Sequence, residues 1–153
     1  MRRITLLLLI LLPFMASSQN YLDKKKAQVK KELQGYLKKN SQLSGAVNET
    51  DSTVVLSVKQ GSSLPAEFVY YFGDNGKCNR EKVIANCDSC LQKYLKHALE
   101  QKKFKWKKIN ANQYVSSFEQ KATLELPGDE KETSFTILRT EWTKEFYKLL
   151  TEL

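Results

Sequence analysis

The stretch EFVYYFGDNGKCNREKVIANCDSC, residues 67–90, sets the architecture of the chain, because it reads as strand, tight turn, strand and then helix. EFVYYF is rich in the aromatic and β-branched residues that suit a pleated, half-buried surface. The GDNG that follows contains Asn75-Gly76, the dipeptide that supplies positive φ angles in a hairpin turn. The chain is therefore expected to double back, with KCNREKVIAN as the returning strand. From Asp88 the period changes: Leu91, Tyr94, Leu95, Ala98 and Leu99 recur at helical spacing, and Asp88 or Ser89 can cap the first turn.

Upstream of this hairpin, Leu22, Val29, Leu33, Tyr36 and Leu37 form one apolar stripe among lysines, which predicts an amphipathic helix over 21–40. SQLSGAVNETDS, 41–52, is polar and aperiodic and reads as a loop. TVVLSVKQ alternates as a strand. Downstream, FKWKKI, QYVSSFEQKATLELP and TSFTILRT read as three further strands, and WTKEFYKLLTEL as a short closing helix with Trp142, Phe146, Leu149 and Leu150 inward. The order α-β-β-β-α-β-β-β-α, with short turns, predicts an α+β domain. It is an antiparallel sheet of five to six strands with two main helices on one face and a short C-terminal helix. QGYLKK at 34–39 echoes QKYLKH at 92–97, and GDNGK at 73 echoes GDEK at 128. Lysine-rich helices and Gly-Asp turns recur by chance, and that is how we read these echoes.

The first residues, MRRITLLLLILLPFMASSQN, have two arginines, an apolar run from Ile4 to Met15 and small residues after it. This is the layout of a secretory signal peptide, expected to be cleaved after Ser18, and the run is too short for a membrane span. Residues 19–153 then form a single exported globular domain, periplasmic or secreted, with no transmembrane segment. Arg2 and Arg3 carry two of the +8 net charges, so the mature chain holds +6, nearly all from lysine. Lysine excess favours solubility and a long-range pull on anions over fork-type phosphate recognition.

All three cysteines lie within residues 78–90. A zinc site needs four ligands converging on one point. Cys90 and the sole histidine, His97, would stand roughly 10 Å apart along a helix, so no metal site is expected. Cys78 and Cys87 would be about 30 Å apart along a strand, beyond disulfide reach. What remains is a Cys87–Cys90 clip at a helix start, with Cys78 a buried free thiol. The same C-x-x-C at a helix N-terminus also permits thiol-disulfide exchange, although Asp88 between the sulfurs disfavours the thiolate.

His97 projects from a lysine-rich helix and reads as solvated, no carboxylate pair for acid–base work is evident, and phosphate-loop and hydrolase signatures are absent. The densest basic cluster comprises Lys93, Lys96, Lys102, Lys103, Lys105 and Lys107, continued by Lys108, with Phe104 and Trp106 interleaved. Alternation lets the two aromatics turn inward while Lys105 and Lys107 face water. The sequence thus points to a non-enzymatic binding domain without cofactor, working through the outer sheet face or this lysine cluster. An acidic glycan, a lipid head group or a protein would be the partner, and export directs it away from nucleic acid. The alternative function is a thiol-disulfide oxidoreductase using Cys87 and Cys90. Asn48-Glu49-Thr50 is a sequon in a predicted loop, and Asp51-Ser52-Thr53 resembles a bacterial O-glycosylation acceptor.

Overall fold

The computed structural model describes residues 20–59, 66–128 and 133–152; the expected signal peptide lies outside them. Eleven elements follow in order: α1 (Lys26–Lys39), β1 (Ser44–Glu49), β2 (Thr53–Lys59), β3 (Ala66–Phe72), β4 (Cys78–Ala85), α2 (Asp88–Leu99), β5 (Lys107–Asn110), β6 (Gln113–Val115), β7 (Ala122–Glu125), β8 (Ser134–Arg139) and α3 (Lys144–Glu152). The strands form one antiparallel sheet in the order β1-β2-β3-β4-β8-β7-β6-β5.

Eight strands replace the expected five to six, for two local reasons. Residues 41–52, read as a loop, contain β1, whose polar side chains (SGAVNE) hide it because it is an exposed edge strand with no apolar alternation to display. Residues 113–127, read as one strand, fold back on themselves at Ser117–Lys121, where Gln120 N–H donates to the Ser117 carbonyl and Lys121 has φ of 44°. The last strand of the FKWKKI segment begins only at Lys107, after Lys105 at φ 51°.

The central hairpin forms as its sequence requires. Gly76 N–H donates to the Gly73 carbonyl and Gly76 takes φ of 69°, while Asn75 Oδ1 accepts from Lys77 N–H. Glycine is also required at Gly45 in β1, where a Cβ would sit 2.8 Å from the Ser57 carbonyl oxygen and 2.9 Å from Leu37 of α1. That contact lets α1 lie close over β1 and β2.

The sheet order is a palindrome around β4 and β8, and the chain runs α-β-β-β-β twice. QGYLKK closes α1 and QKYLKH lies within α2, while Gly73 opens the β3–β4 turn and Gly128 the β7–β8 connection. The two sequence echoes therefore stand at comparable places in the two halves of the sheet.

Register assigns the faces. Val54, Leu56, Phe68, Tyr70, Val83, Ala85, Leu124, Phe135 and Ile137 share one face and bury against Val29 and Leu33 of α1 and Leu91, Leu95 and Ala98 of α2. Val115 and Thr123 point the other way and are nevertheless buried, on the face where α3 packs against β5. Tyr147 OH anchors α3 by donating to the Ser116 carbonyl at 3.0 Å, and its ring packs on Phe118 and Trp142. Trp142 is buried as expected, but Phe146 and Leu149 are 52% and 66% exposed. The cause is rotational: Tyr147 and Thr151 occupy the docked side, so the stripe of Phe146 and Leu149 turns off it.

Candidate functional site: the uncovered sheet face

Strands β2, β3, β4 and β8 carry a second set of side chains on the face away from α1 and α2. By register these are Val55 and Ser57, Glu67, Val69 and Tyr71, Arg80, Lys82 and Ile84, and Thr136 and Leu138. Val55, Val69, Tyr71, Ile84 and Leu138 are only half-buried. Charges alternate with these apolar side chains: the Arg80 guanidinium lies 5.1 Å from the Tyr71 ring centre, Lys82 stands opposite Val69 and Glu67 opposite Ile84. The exposed Phe146 and Leu149 of α3 belong to the same side of the molecule. A sheet face needs a cover to bury its apolar atoms; among the described residues α3 covers the β5–β6 end of this face, and Ser134, opposite Ile84, is also buried.

The opposite, helical side is polar. Lys93 and Lys96 are exposed on α2, where Lys96 pairs with Glu100 at 3.8 Å. Lys102, Lys103 and Lys105 lie exposed in the link after α2, with the Lys103 ammonium 5.4 Å from the Phe104 ring centre. Lys107 pairs with Val115 in register and so points to the α3 side. The six lysines are thus divided between the two sides of the sheet. Phe104 and Trp106 stack at 4.6 Å and turn into the core.

Beneath α2 lies a feature that the sequence reading missed. Glu81, on β4, points inward with Val83 and Ala85, between Tyr70 and Ile137. Its carboxylate accepts the Tyr21 amide and faces the Leu22 amide. Burial raises its pKa to about 7, against those amides and the charges of Lys103 and Lys24, which lower it. The alternation Glu81-Val83-Ala85 was the available signal, masked by Arg80 and Lys82 on either side. His97, expected to be solvated, instead tucks its Nε2 into a crevice of about 30 Å³ shared with Glu81, Phe68 and Tyr94. The α2 axis runs close enough to β4 and β8 for its flank, and not only its apolar stripe, to be covered.

Glu81 acts as a structural anchor. It fixes residues 20–25 along β4, together with Asp23 N–H to the Cys78 carbonyl at 2.8 Å, Cys78 N–H to the Lys24 carbonyl at 2.9 Å and an Asp23–Arg139 ion pair. Tyr21 stacks edge-on against Tyr70 at 5.1 Å.

Cys87 and Cys90 are bonded, with α-carbons 5.2 Å apart, and Cys78 is free and buried. Cys87 is the N-cap of α2, and its Sγ accepts the Cys90 amide at 3.2 Å. Burial pushes the Cys78 thiol up to about 12. Thiol counting with an aromatic disulfide reagent is expected to find no fast-reacting group in the native protein. One thiol should appear after denaturation and three after denaturation with reduction; a fast native thiol would contradict this pairing. Among the described residues no group of His, Cys, Asp and Glu is placed to hold a metal ion, and no helix is long and apolar enough to cross a membrane. Asn48 of the sequon lies on β1 rather than in a loop, and Asp51 and Ser52 form the exposed β1–β2 turn.

Comparison with protein-family models, with curated proteins and with solved structures finds no match to this chain.

Proposed function

We propose that the chain is an exported, non-enzymatic binding domain that captures a protein partner on the uncovered face of β2, β3, β4 and β8. The observation that carries this is the composition of that face: Val55, Val69 and Tyr71 adjoin one another half-exposed, Arg80 lies beside the tyrosine, and half-exposed Ile84 and Leu138 flank them opposite Glu67 and Arg80. Tyrosine and arginine among apolar side chains make up the usual composition of an interface centre. The exposed Phe146 and Leu149 extend apolar surface on the same side. The net positive charge of the chain would steer an acidic partner toward it.

The test is cross-linking of the tagged protein within the exported fraction of its own cells. Tyr71→Ala and Ile84→Asp, folded by circular dichroism, are expected to weaken the specific cross-link about tenfold or more. Lys93→Ala with Lys96→Ala should leave it unchanged. Loss in the lysine pair with retention in the face variants would refute the assignment.

A second reading, thiol-disulfide exchange at Cys87 and Cys90, is favoured by one observation. Cys87 caps a helix N-terminus and is half-exposed while Cys90 is buried, so an entering thiol would meet Cys90's partner first and release sulfur near the helix dipole. Turnover in a disulfide reductase assay, abolished by Cys90→Ser, would establish it.

A further inference from the structure

The two edges of the sheet are built differently. Edge strand β5 is four residues long, carries Lys107 and Lys108, and has a register irregularity before Asn110. Those are devices that keep a strand edge from pairing with another chain. Edge strand β1 has none of them. It is six residues long, regular in its pairing with β2, and its sequence SGAVNE holds neither lysine nor proline.

The groups on that edge can be assigned. Thr50 N–H donates to the Thr53 carbonyl across the turn, which makes Thr50 and Thr53 a hydrogen-bonded pair. Bonding toward β2 then alternates with a period of two, through Asn48, Ala46 and Ser44. Gly45, Val47 and Glu49 therefore turn their amides and carbonyls away from β2, toward the open edge. The Glu49 side chain is held back by Lys30 and Lys26 of α1.

We propose that β1 pairs with β1 of a second copy, antiparallel about a twofold axis through Val47, joining two eight-stranded sheets into one. The self-complementarity of the strand selects this occupant. With Val47 opposite Val47 of the other copy, Gly45 falls opposite Glu49 and Ala46 opposite Asn48, so no like charges of the two strands face each other. Three outward residues on each copy supply about six interchain backbone hydrogen bonds. The same operation on β5 would bring Lys107 and Lys108 of both copies together. The pairing is isologous and closed, so it ends at the dimer. It leaves the face proposed for partner capture uncovered on both copies, and it stands or falls independently of that proposal.

The test combines sedimentation with amide hydrogen exchange on the purified protein over a concentration series. The expected result is a twofold rise in mass with concentration, accompanied by slowed exchange at the Gly45, Val47 and Glu49 amides and unchanged exchange in β5. Val47→Pro removes a donor that β2 does not use, and Ala46→Lys with Asn48→Lys sets lysines against lysines across the axis at exposed positions. Each is expected to weaken dimerisation about tenfold or more, and the lysine variant serves if the proline variant fails to fold. A monomer at all concentrations overturns the proposal. So does a dimer whose three amides still exchange freely, or protection that appears only when a different protein is added.

Discussion

Glu81→Gln is expected to stabilise the protein by about 3 kcal/mol at pH 8 and to leave its stability nearly unchanged at pH 4. The carboxyl of Glu81 has its pKa raised from 4.5 to about 7, chiefly by burial. The folded chain therefore holds a proton on this group between those two values while the unfolded chain has released it. Stability contributed by the wild-type residue is fully present below pH 4.5, falls as pH rises through 7, and is then lost. The carboxamide does not titrate and keeps an oxygen to accept the Tyr21 amide, so the difference between the two proteins opens across that window and levels off above it. Urea unfolding at four or five pH values measures it directly. A constant offset with pH, or a wild type that gains stability from pH 5 to 7 relative to the variant, would show that burial does not raise the pKa of this carboxyl.

Phe104→Ala is expected to cost about 3–5 kcal/mol, as truncation of a fully buried aromatic does. Phe104 is 1% exposed, stacks on Trp106 at 4.6 Å and belongs to the main core. Its carbonyl accepts the Ser117 amide at 2.7 Å, which ties the turn between β6 and β7 to the end of α2, and Trp106 Nε1 donates to the Ala98 carbonyl at 3.0 Å. The link after α2 makes no regular ladder, so it cannot close over the space left by the ring as a strand or helix might. Thermal and urea unfolding should both shift, with exchange at Ser117 rising in parallel. A change below about 1 kcal/mol would mean that the aromatic pair is not part of the cooperative core.

The two variants probe features of unequal legibility. That Phe104 and Trp106 turn inward follows from their alternation with lysines. Glu81 obeys the same alternation with Val83 and Ala85, yet a carboxylate between Arg80 and Lys82 reads as solvated until neighbouring strands and α2 close over it. His97 is comparable: its place on a lysine-bearing helix suggested water, and only the closeness of α2 to the sheet buries its Nε2. The stripe Phe146, Leu149 and Leu150 carries a strong helical period, but the period does not say which side of α3 meets the sheet; Tyr147 decides that by reaching the Ser116 carbonyl.

Strand count shows the same division. β2, β3, β4 and β8 announce themselves because they are central and bury one face, which writes period two into the chain. β1 is an edge strand whose pairing satisfies backbone groups with little demand on side chains, so its composition stays loop-like, while β6 and β7 read as one strand because the turn at Ser117–Lys121 holds no glycine or proline to mark it.

What the sequence by itself determined is the antiparallel hairpin at its centre, the helices that follow periodic apolar stripes, and the Cys87–Cys90 clip, because each rests on local geometry within a few residues. What only the tertiary structure decided is the eight-stranded order, the burial of Glu81, and which sheet face and which edge strand stay exposed among the described residues. Those depend on which strands become neighbours, and neighbour choice is fixed by packing between segments far apart in the chain.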